Sequence, residues 1–389
     1  MKKTLLALAT LSAMAGSAFA ADVTVYGLVD YGFQFKHVDQ YTQTGDDNTF
    51  QMKSGMNSGS RFGLKGSEDL GNGLKVGFVL ENGFNADDGT LDNGGRLFGR
   101  ESQLYVQGAF GTLSFGRVGQ LMSGLGSYGL MSKFSVFGGG WGDYTGGKFT
   151  HAGYWGRMDN TITYVTPEFA GLKGYLQYSF QNDTQDKDLR YGAPTEGKAS
   201  SDRTLSAAVT ANYGNFGLLV AGDWNNWSEN AAASASWAGG DGYTGLVAAT
   251  YDFGVAKLYV DGQYYKRMRI ANAEYEKLSG LNGEFASFWE NTAYADGYAF
   301  NIGTDVPAFG GTFKANFGYR YAECIKNPDG NNDDRYTLSA GYTYDLSKRT
   351  SLYAAGSYVW SDLSSNHNDS NLSKSPEACE LIAGLIHRF

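Results

Sequence analysis

Apolar and polar residues alternate with a period of two along most of this chain, and this alternation limits the possible folds more than any other feature of the sequence. In the stretch VTVYGLVDYGF, Val25 and Phe33 share one parity, while Asp30 takes the other. The segments LKVGFVLE and RYTLSAGYTY repeat the pattern. A period of two is typical of strands with two different faces, and helical spacing is hard to find after Ala21. The sequence therefore predicts an all-β fold.

About sixteen such segments follow one another from end to end, each roughly 9 to 14 residues long, which suits tilted strands that cross a membrane. Their expected first residues are Asp22, Ser58, Leu74, Phe98, Gly111, Asn160, Gly171, Arg203, Phe216, Asp241, Val255, Ala295, Gly311, Asp334, Ser351 and Ala378. We therefore expect a 16-stranded antiparallel transmembrane β-barrel.

The connections between these segments alternate between tight and long. Tight turns are expected at EDLGNG, AFG, PEFAG, YGNFG, YDFG, AFGG and DLSKRT, and long polar connections such as NPDGNNDD lie between them. Outer-membrane barrels have short periplasmic turns and long extracellular loops, whereas a soluble sandwich has no reason to alternate them. An even strand number also requires the first and last strands to pair, which removes the sheet edges. The terminal stretch ELIAGLIHRF is accordingly predicted to be the closing strand.

Composition and charge narrow the class further. Residues 1–20 have two lysines, an apolar run and a terminal Ala-Phe-Ala, the pattern of a secretory signal peptide cut after Ala20. Loss of Lys2 and Lys3 takes the formal net charge from −9 to −11, so an exported acidic chain (residues 21–389) that avoids nucleic acid is expected. The four histidines are scattered, and no Ser/His/acid set can be assembled. Neither a metal, a cofactor nor an enzymatic activity is predicted.

Four stretches resemble a known family. SRFGLKGSEDLGNGLKVGFVLENGF, FGTLSFGR, NTITYVTPEFAGLKGYLQYSF and the terminal GLIHRF are similar to the general diffusion porins of Gram-negative outer membranes, in their neisserial and beta-proteobacterial branch. The resemblance implies a trimer of sixteen-stranded barrels, a third loop that folds inward, and passive diffusion of ions and small hydrophilic solutes. It also implies that Phe389 is read by the outer-membrane assembly machinery.

The third long connection, from about Gly119 to Asp159, is the expected constriction. It is unusually long and rich in Gly and aromatic residues, and loops of such length are usually functional. The alternative interpretation, an exposed loop with no pore role, stays open on the residues alone. Its aromatic residues could form a stacking surface for sugars, although packing against the wall is the more ordinary use: Tyr128, Phe134, Phe137, Trp141, Tyr144 and Tyr154.

Charged residues of the lumen-facing parity predict what lines the pore. The basic ones are Arg61, Lys65, Lys75, Arg157, Lys173, Lys257, Lys314, Arg320 and Arg335, and the acidic ones are Asp30, Glu81, Asp223 and Asp261. Further acids, among them Asp333 and Asp334, are expected in outer loops. Such a wall is net basic and favours anions. For Lys173, Lys257 and Arg335, plain solvation in a wide lumen is the better interpretation.

Three arginines match the family positions that face the third loop: Arg61, Arg100 and Arg157. Arg61 and Arg157 have the lumen parity, whereas Arg100 reaches the lumen only if a bulge or a strand end intervenes. From the loop, Asp143 is expected to oppose these arginines. Its basic residues Lys133, Lys148 and His151 are expected to reinforce the positive field.

Other features leave alternatives open. The barrel could instead act mainly as a surface adhesin or receptor through its long loops. Cys324 and Cys379 could form a disulfide only if their loops fold together, because strands three positions apart are roughly 14 Å apart. Outer-membrane lipid and lipopolysaccharide are expected to surround the barrel, and no calcium site is singled out.

Overall fold

The computed structural model describes residues 23–38, 47–147, 150–153, 156–185, 195–228, 240–270, 294–325, 332–367, 370–375 and 377–389. The expected signal peptide, Lys148, Tyr154 and the Cys324 side chain lie outside what is described.

Within the described residues the chain forms one 3-10 turn, Leu130–Lys133, and the following strands: β1 Thr24–Val38, β2 Asp47–Ser54, β3 Arg61–Gly71, β4 Leu74–Gly83, β5 Glu101–Gly108, β6 Gly111–Gly119, β7 Arg157–Val165, β8 Leu172–Ser179, β9 Arg203–Tyr213, β10 Phe216–Asn226, β11 Gly242–Asp252, β12 Lys257–Arg269, β13 Tyr294–Ala308, β14 Gly311–Cys324, β15 Asn332–Asp345, β16 Thr350–His367, β17 Ser370–Lys374 and β18 Glu377–Arg388.

These segments form one closed antiparallel barrel. β1 pairs with β18, which joins the two ends of the chain and leaves no free sheet edge. β2 and β3 pair with the two halves of β1 and make one interrupted barrel strand, and β17 and β18 do the same beside β16. The barrel therefore has the sixteen strands that the sequence predicts. Among the described residues, no helix combines the length and apolar character needed to cross a membrane.

Burial alternates along the strands with the predicted parity. In β18, Leu381 and Leu385 are exposed on the outer face, while Glu380 and Ile382 are buried on the inner face. In β1, Asp30 is buried and Phe33 is exposed. The outer wall is thus largely apolar, and the inner wall carries most of the polar and charged side chains.

Five of the expected strand starts coincide with the observed ones: Leu74, Gly111, Arg203, Phe216 and Gly311. The expectation of an uninterrupted connection between the strands that start near Asp22 and Ser58 was wrong, because β2 lies in that connection and pairs with β1 from Tyr31↔Ser54 to Val38↔Asp47. The placement of Asp333 and Asp334 in an outer loop was also wrong. Both belong to β15, because β14 and β15 continue their pairing as far as Glu323↔Asn332.

Candidate functional site

The segment 120–156 is called loop 3 below, and its described residues (120–147, 150–153 and 156) lie inside the barrel and contact its inner wall at three places. At the first, the Gln120 side chain donates to the carboxylate of Asp223, and the Leu121 N–H donates to Gln177 Oε1 over 3.2 Å. An apolar cluster surrounds this contact: Val118, Leu121, Met122, Tyr128, Leu130, Met131, Phe134, Ala208, Leu219, Ala221, Leu246 and Ala248. Burial of this much apolar surface fixes the start of loop 3 against β8 to β11.

The second contact is polar and holds the middle of loop 3. Glu380 accepts hydrogen bonds from the backbone N–H groups of Asp143 at 2.7 Å and Tyr144 at 2.9 Å. The Asp143 carboxylate lies 2.6 Å from Lys53 Nζ and 3.1 Å from Lys36 Nζ. Burial alone raises the pKa of Asp143, but Lys53 and then Lys36 outweigh it and hold that pKa well below its ordinary value.

The third contact fixes the end of loop 3. His151 Nε2 lies 2.7 Å from Asp261 Oδ1, and its Nδ1 lies 2.9 Å from the Gly147 carbonyl oxygen. Gln263 accepts from the Ala152 N–H over 2.8 Å and donates to the Ala152 carbonyl over 2.7 Å. His151 is therefore part of an anchor on β12, where its ring nitrogens contact Asp261 and Gly147.

Between these contacts, a cavity of about 690 Å³ separates loop 3 from the wall. Its charged lining residues all come from the wall side, five basic and two acidic: Arg61, Lys65, Arg100, Arg157, Lys314, Glu81 and Glu101. The loop side presents Gly, Ser and apolar residues, including the run Gly138–Gly140. The formal charge of the lining is therefore positive, and the wall supplies all of it.

The three arginines are held by neighbouring groups at fixed positions. Arg61 donates from Nε to the Gly59 carbonyl over 2.9 Å and from Nη2 to Ser58 Oγ over 2.7 Å. Arg157 Nη1 donates to the side-chain oxygen of Asn93 over 3.2 Å. These bonds orient both guanidinium groups before any solute arrives.

Arg100 reaches the lumen because it precedes β5, which begins at Glu101. Outside the strand it does not follow the alternation, so the strand-end alternative left open by the sequence is the observed one. Its Nε lies 2.7 Å from Glu81 Oε1, and Arg61 Nη1 lies 3.7 Å from the same oxygen. Glu81 thus offsets part of the positive charge.

The other expected pore residues are divided between several places. Lys65 and Lys314 line the cavity, and Lys314 also pairs with Asp305 at 2.9 Å. Lys75 is exposed near the short turns and does not line it. Lys133 lines a second cavity of about 500 Å³, which also contains Lys173 and Lys257.

Three expectations about charges need correction. Asp143 does not oppose the arginines, because its carboxylate pairs with Lys36 and Lys53 and does not line the cavity. Arg335 is fully buried and not solvated. Its neighbour Arg320 is equally buried and pairs with Asp333 at 2.6 Å, so it does not line the cavity either.

Among the described residues, Glu101, Asp305 and Glu380 are inner-side carboxylates that the sequence reasoning missed. All three have the inner parity of their strands, so alternation could have found them. The loop aromatics Phe134 and Tyr144 are almost completely buried, so they pack the loop and offer no stacking surface. Phe137 and Trp141 line the cavity, but both side chains are also buried. Among the described residues, no group of three or more His, Cys, Asp or Glu side chains is arranged to hold a metal ion.

Comparison with known proteins identifies the family. A sequence model of the family described as Gram-negative porin matches residues 6–362. An outer membrane porin protein of Bordetella pertussis is 35% identical over 377 residues, which cover 92% of this chain and 94% of that protein. Outer membrane porin protein 32 of Delftia acidovorans is 29% identical over 363 residues, covering 91% of this chain and 88% of that protein.

Solved structures show the same fold. The anion-selective porin from Comamonas acidovorans superposes with a TM-score of 0.68 at 23% identity and covers 95% of this chain and 100% of its own. OmpT of Vibrio cholerae in its trimer form superposes with a TM-score of 0.60 at 16% identity, again with 95% and 100% coverage. The chain belongs to the Gram-negative porin family and is a protein of the outer membrane.

Proposed function

We propose that this porin is a general diffusion channel with a preference for anions, set by the basic wall that faces loop 3. The observation that carries the proposal is the cavity of about 690 Å³, in which five basic and two acidic wall residues face a part of loop 3 that has no charged side chain. Ions and small hydrophilic solutes pass through it by passive diffusion. The names of the relatives describe channels, and no catalytic role is proposed.

Electrostatics gives the sign of the preference. Fixed positive groups at a narrow point replace part of the hydration of an anion and raise the barrier for a cation. The arginines suit this role because their guanidinium groups stay charged and are already oriented by bonds such as Arg61 to Ser58. Glu81 and Glu101 make the preference modest, because they return negative charge to the same cavity.

Similarity to two solved structures supports the proposed anion preference and the proposed trimer. One solved structure with the same fold is named an anion-selective porin, and another is a trimer form. We therefore propose that this chain also works as a homotrimer, each subunit with its own channel. Outer-membrane lipid and lipopolysaccharide would cover the remaining apolar wall, and the assembly machinery would read the terminal Phe389.

The test is the reversal potential of the refolded protein in a planar bilayer under a salt gradient. We expect a potential shifted toward that of the anion, and a smaller shift in Arg61→Ala and Arg157→Ala. Lys198→Ala is the matched control, because it removes the same charge from an exposed outer-loop residue. Conductance steps in groups of three support the trimer.

Other outcomes contradict separate parts of the proposal. Cation preference in the wild type, or equal effects of Lys198→Ala and Arg157→Ala, would reject the arginine wall as the source of selectivity. No conductance from protein that is shown to be folded and inserted would reject the channel itself.

A further inference from the structure

The carboxylate of Asp30 is completely buried and accepts hydrogen bonds from three donors. One oxygen, Oδ2, accepts from the backbone N–H groups of Asn57 at 2.9 Å and Ser58 at 2.8 Å. The other oxygen, Oδ1, accepts from the Tyr353 hydroxyl at 2.7 Å. Asp30 is not one of the residues that line the cavity of about 690 Å³. Any effect of these hydrogen bonds on the cavity is therefore indirect.

The backbone of Asp30 holds the same segment of the chain. Residues 55–60 form the β2–β3 connection, which interrupts one strand of the barrel and includes both backbone donors to the carboxylate. The Gly55 N–H donates to the Asp30 carbonyl over 3.0 Å, and the Asp30 N–H donates to Ser60 Oγ over 3.1 Å. The β2–β3 connection is thus bound to Asp30 at its start, its middle and its end.

The β2–β3 connection in turn fixes the guanidinium group of Arg61. Its Gly59 carbonyl accepts from Arg61 Nε over 2.9 Å, and its Ser58 hydroxyl accepts from Arg61 Nη2 over 2.7 Å. Ser58 is therefore shared, because its N–H bonds to Asp30 while its hydroxyl bonds to Arg61. Ser58, Gly59 and Arg61 all line the cavity. Hydrogen bonds thus lead from a buried carboxylate to an arginine of the lumen.

The chemistry of the three donors explains why a carboxylate occupies this position. A carboxylate accepts at both of its oxygens, whereas an amide would turn an NH2 group toward one side. Burying a charged group is costly unless it is hydrogen-bonded, and hydrogen bonds to a carboxylate are stronger than those between neutral groups. The three bonds to Asp30 therefore offset its burial and hold the β2–β3 connection firmly.

We propose that Asp30 is a positioning residue for Arg61, because it holds the β2–β3 connection in the conformation that fixes the Arg61 guanidinium group at the cavity wall. The anion preference then depends on a residue that is itself negatively charged. This inference rests on the proposed function, in which Arg61 contributes to selectivity.

The charge of Asp30 and its positioning role have opposite effects on selectivity. Loss of a negative charge near the lumen, taken alone, raises the preference for anions. Release of Arg61 lowers that preference, because the freed guanidinium group can pair more closely with Glu81, whose carboxylate lies 3.7 Å from Arg61 Nη1. The sign of the change in reversal potential therefore distinguishes the two effects.

The test compares Asp30→Ala with Asp30→Asn in the refolded protein, in a planar bilayer under a KCl gradient. Both variants remove the same charge, but only Asp30→Asn keeps an oxygen that can accept from the N–H groups of Asn57 and Ser58. We expect the reversal potential of Asp30→Ala to shift toward that of Arg61→Ala, while Asp30→Asn keeps or exceeds the anion preference of the wild type. Equal reversal potentials in the two Asp30 variants would overturn the proposal.

Combination with arginine variants shows whether Asp30 acts through Arg61. In an Arg61→Ala background the two Asp30 variants are expected to have the same reversal potential, because no guanidinium group is left to position. In an Arg157→Ala background the difference between them should remain. A difference that persists without Arg61 would overturn the proposal. If the wild type prefers cations, the proposed function fails, but this comparison still decides whether Asp30 positions Arg61.

Ser58→Ala keeps the proposal testable if Asp30→Ala does not fold. It removes the hydroxyl that accepts from Arg61 and leaves the backbone bond to Asp30 in place. We expect a shift in the same direction as in Arg61→Ala but smaller, because the Gly59 carbonyl still accepts from Arg61. Channel conductance shows that each variant is folded. A reversal potential of Ser58→Ala equal to that of the wild type would overturn the proposal.

Discussion

The carboxylate of Glu380 accepts a hydrogen bond from the backbone N–H of Tyr144 at 2.9 Å, and this contact ties loop 3 to the last strand of the barrel. A second bond, from the N–H of Asp143, reaches the same side chain at 2.7 Å. Two backbone donors of loop 3, one buried and one partly buried, therefore depend on one acceptor. We expect Glu380→Ala to lower the free energy of unfolding by about 1–3 kcal/mol, because unpaired buried donors are costly.

Denaturant unfolding of the refolded protein checks this expectation. Glu380→Gln is the control, because it keeps one oxygen acceptor and should lose less stability than Glu380→Ala. Equal losses in the two variants would show that the hydrogen bonds to loop 3 are not what Glu380 contributes.

Asp143 gives a prediction about pH. Burial raises its pKa, but Lys53 and Lys36 lower it further than burial raises it, so the folded pKa lies below the ordinary value of 3.8. A lowered pKa stabilises the folded state above the unfolded pKa, and this stabilisation is lost as the pH falls through the folded pKa. We therefore expect Asp143→Asn to be destabilised relative to the wild type at pH 7 and pH 5, with a smaller difference below pH 3.8. Unfolding midpoints at several pH values measure it, and a difference that grows toward low pH would contradict the assignment.

A substitution at Gly59 can move a positive charge within the cavity without changing the number of charges there. A Cβ at Gly59 would lie 2.7 Å from Arg100 Nη1, so Gly59→Ala should displace that guanidinium group. We expect the reversal potential to change by less than it does when an arginine is removed. Gly245→Ala is the matched control, because an added Cβ there meets open space. If both variants behave as the wild type, the position of Arg100 does not affect selectivity.

The buried ion pair of Arg320 and Asp333 gives a prediction about how much an unmatched buried charge lowers the free energy of unfolding. Their side chains are fully buried and 2.6 Å apart. Removing one partner of such a pair costs about 3–5 kcal/mol, because the other charge stays buried, whereas replacing both is much less harmful. Arg320→Met should therefore be less stable than the double variant Arg320→Met and Asp333→Leu, as measured by thermal or denaturant unfolding. The opposite order would mean that the pair itself stabilises the barrel.

A substitution at Phe389 can distinguish two roles of this residue, recognition by the assembly machinery and packing against Gly27. Its N–H and carbonyl bond to Gly27 at 3.0 and 3.1 Å, and its ring covers that glycine. If the assembly machinery reads the terminal residue, Phe389→Ser should reduce folded protein in the outer membrane of cells more than it reduces refolding from denaturant in vitro. Gly27→Ala disturbs the same contact but keeps the terminal residue. A similar loss in cells and in vitro for Phe389→Ser would leave packing as the explanation.

The alternation of residues was enough to predict the barrel, the strand number and the face on which most charges lie, because a wall between lipid and water imposes that pattern on every strand. It did not lead to β2, although Phe50 and Met52 are exposed on the outer face there and alternate with polar residues. Asp47–Ser54 is only 8 residues long, and so short an alternation within a polar segment does not distinguish a strand from a loop. Nor could it pair Asp143 with Lys36 and Lys53. Both lysines are distant from Asp143 in the chain. Loop 3 has no periodic pattern from which its alignment against the wall strands could be predicted.

Arg100 and Arg335 show the same limits at single residues. Arg100 lies one residue before a strand, so the parity of β5 does not apply to it. Arg335 has the inner parity, but parity cannot distinguish a wide aqueous lumen from a region packed with protein, and this side chain lies in the latter.

The bond from Asp143 to Glu380 joins residues that are 237 positions apart in the chain. Glu380 can receive that bond only after the final strand has taken its place, and the same strand closes the barrel by pairing with β1. This anchor of loop 3 therefore cannot form before the last strand is in place. A chain that stalls before its last strand would lack the Glu380 anchor of loop 3 as well as the β1–β18 pairing.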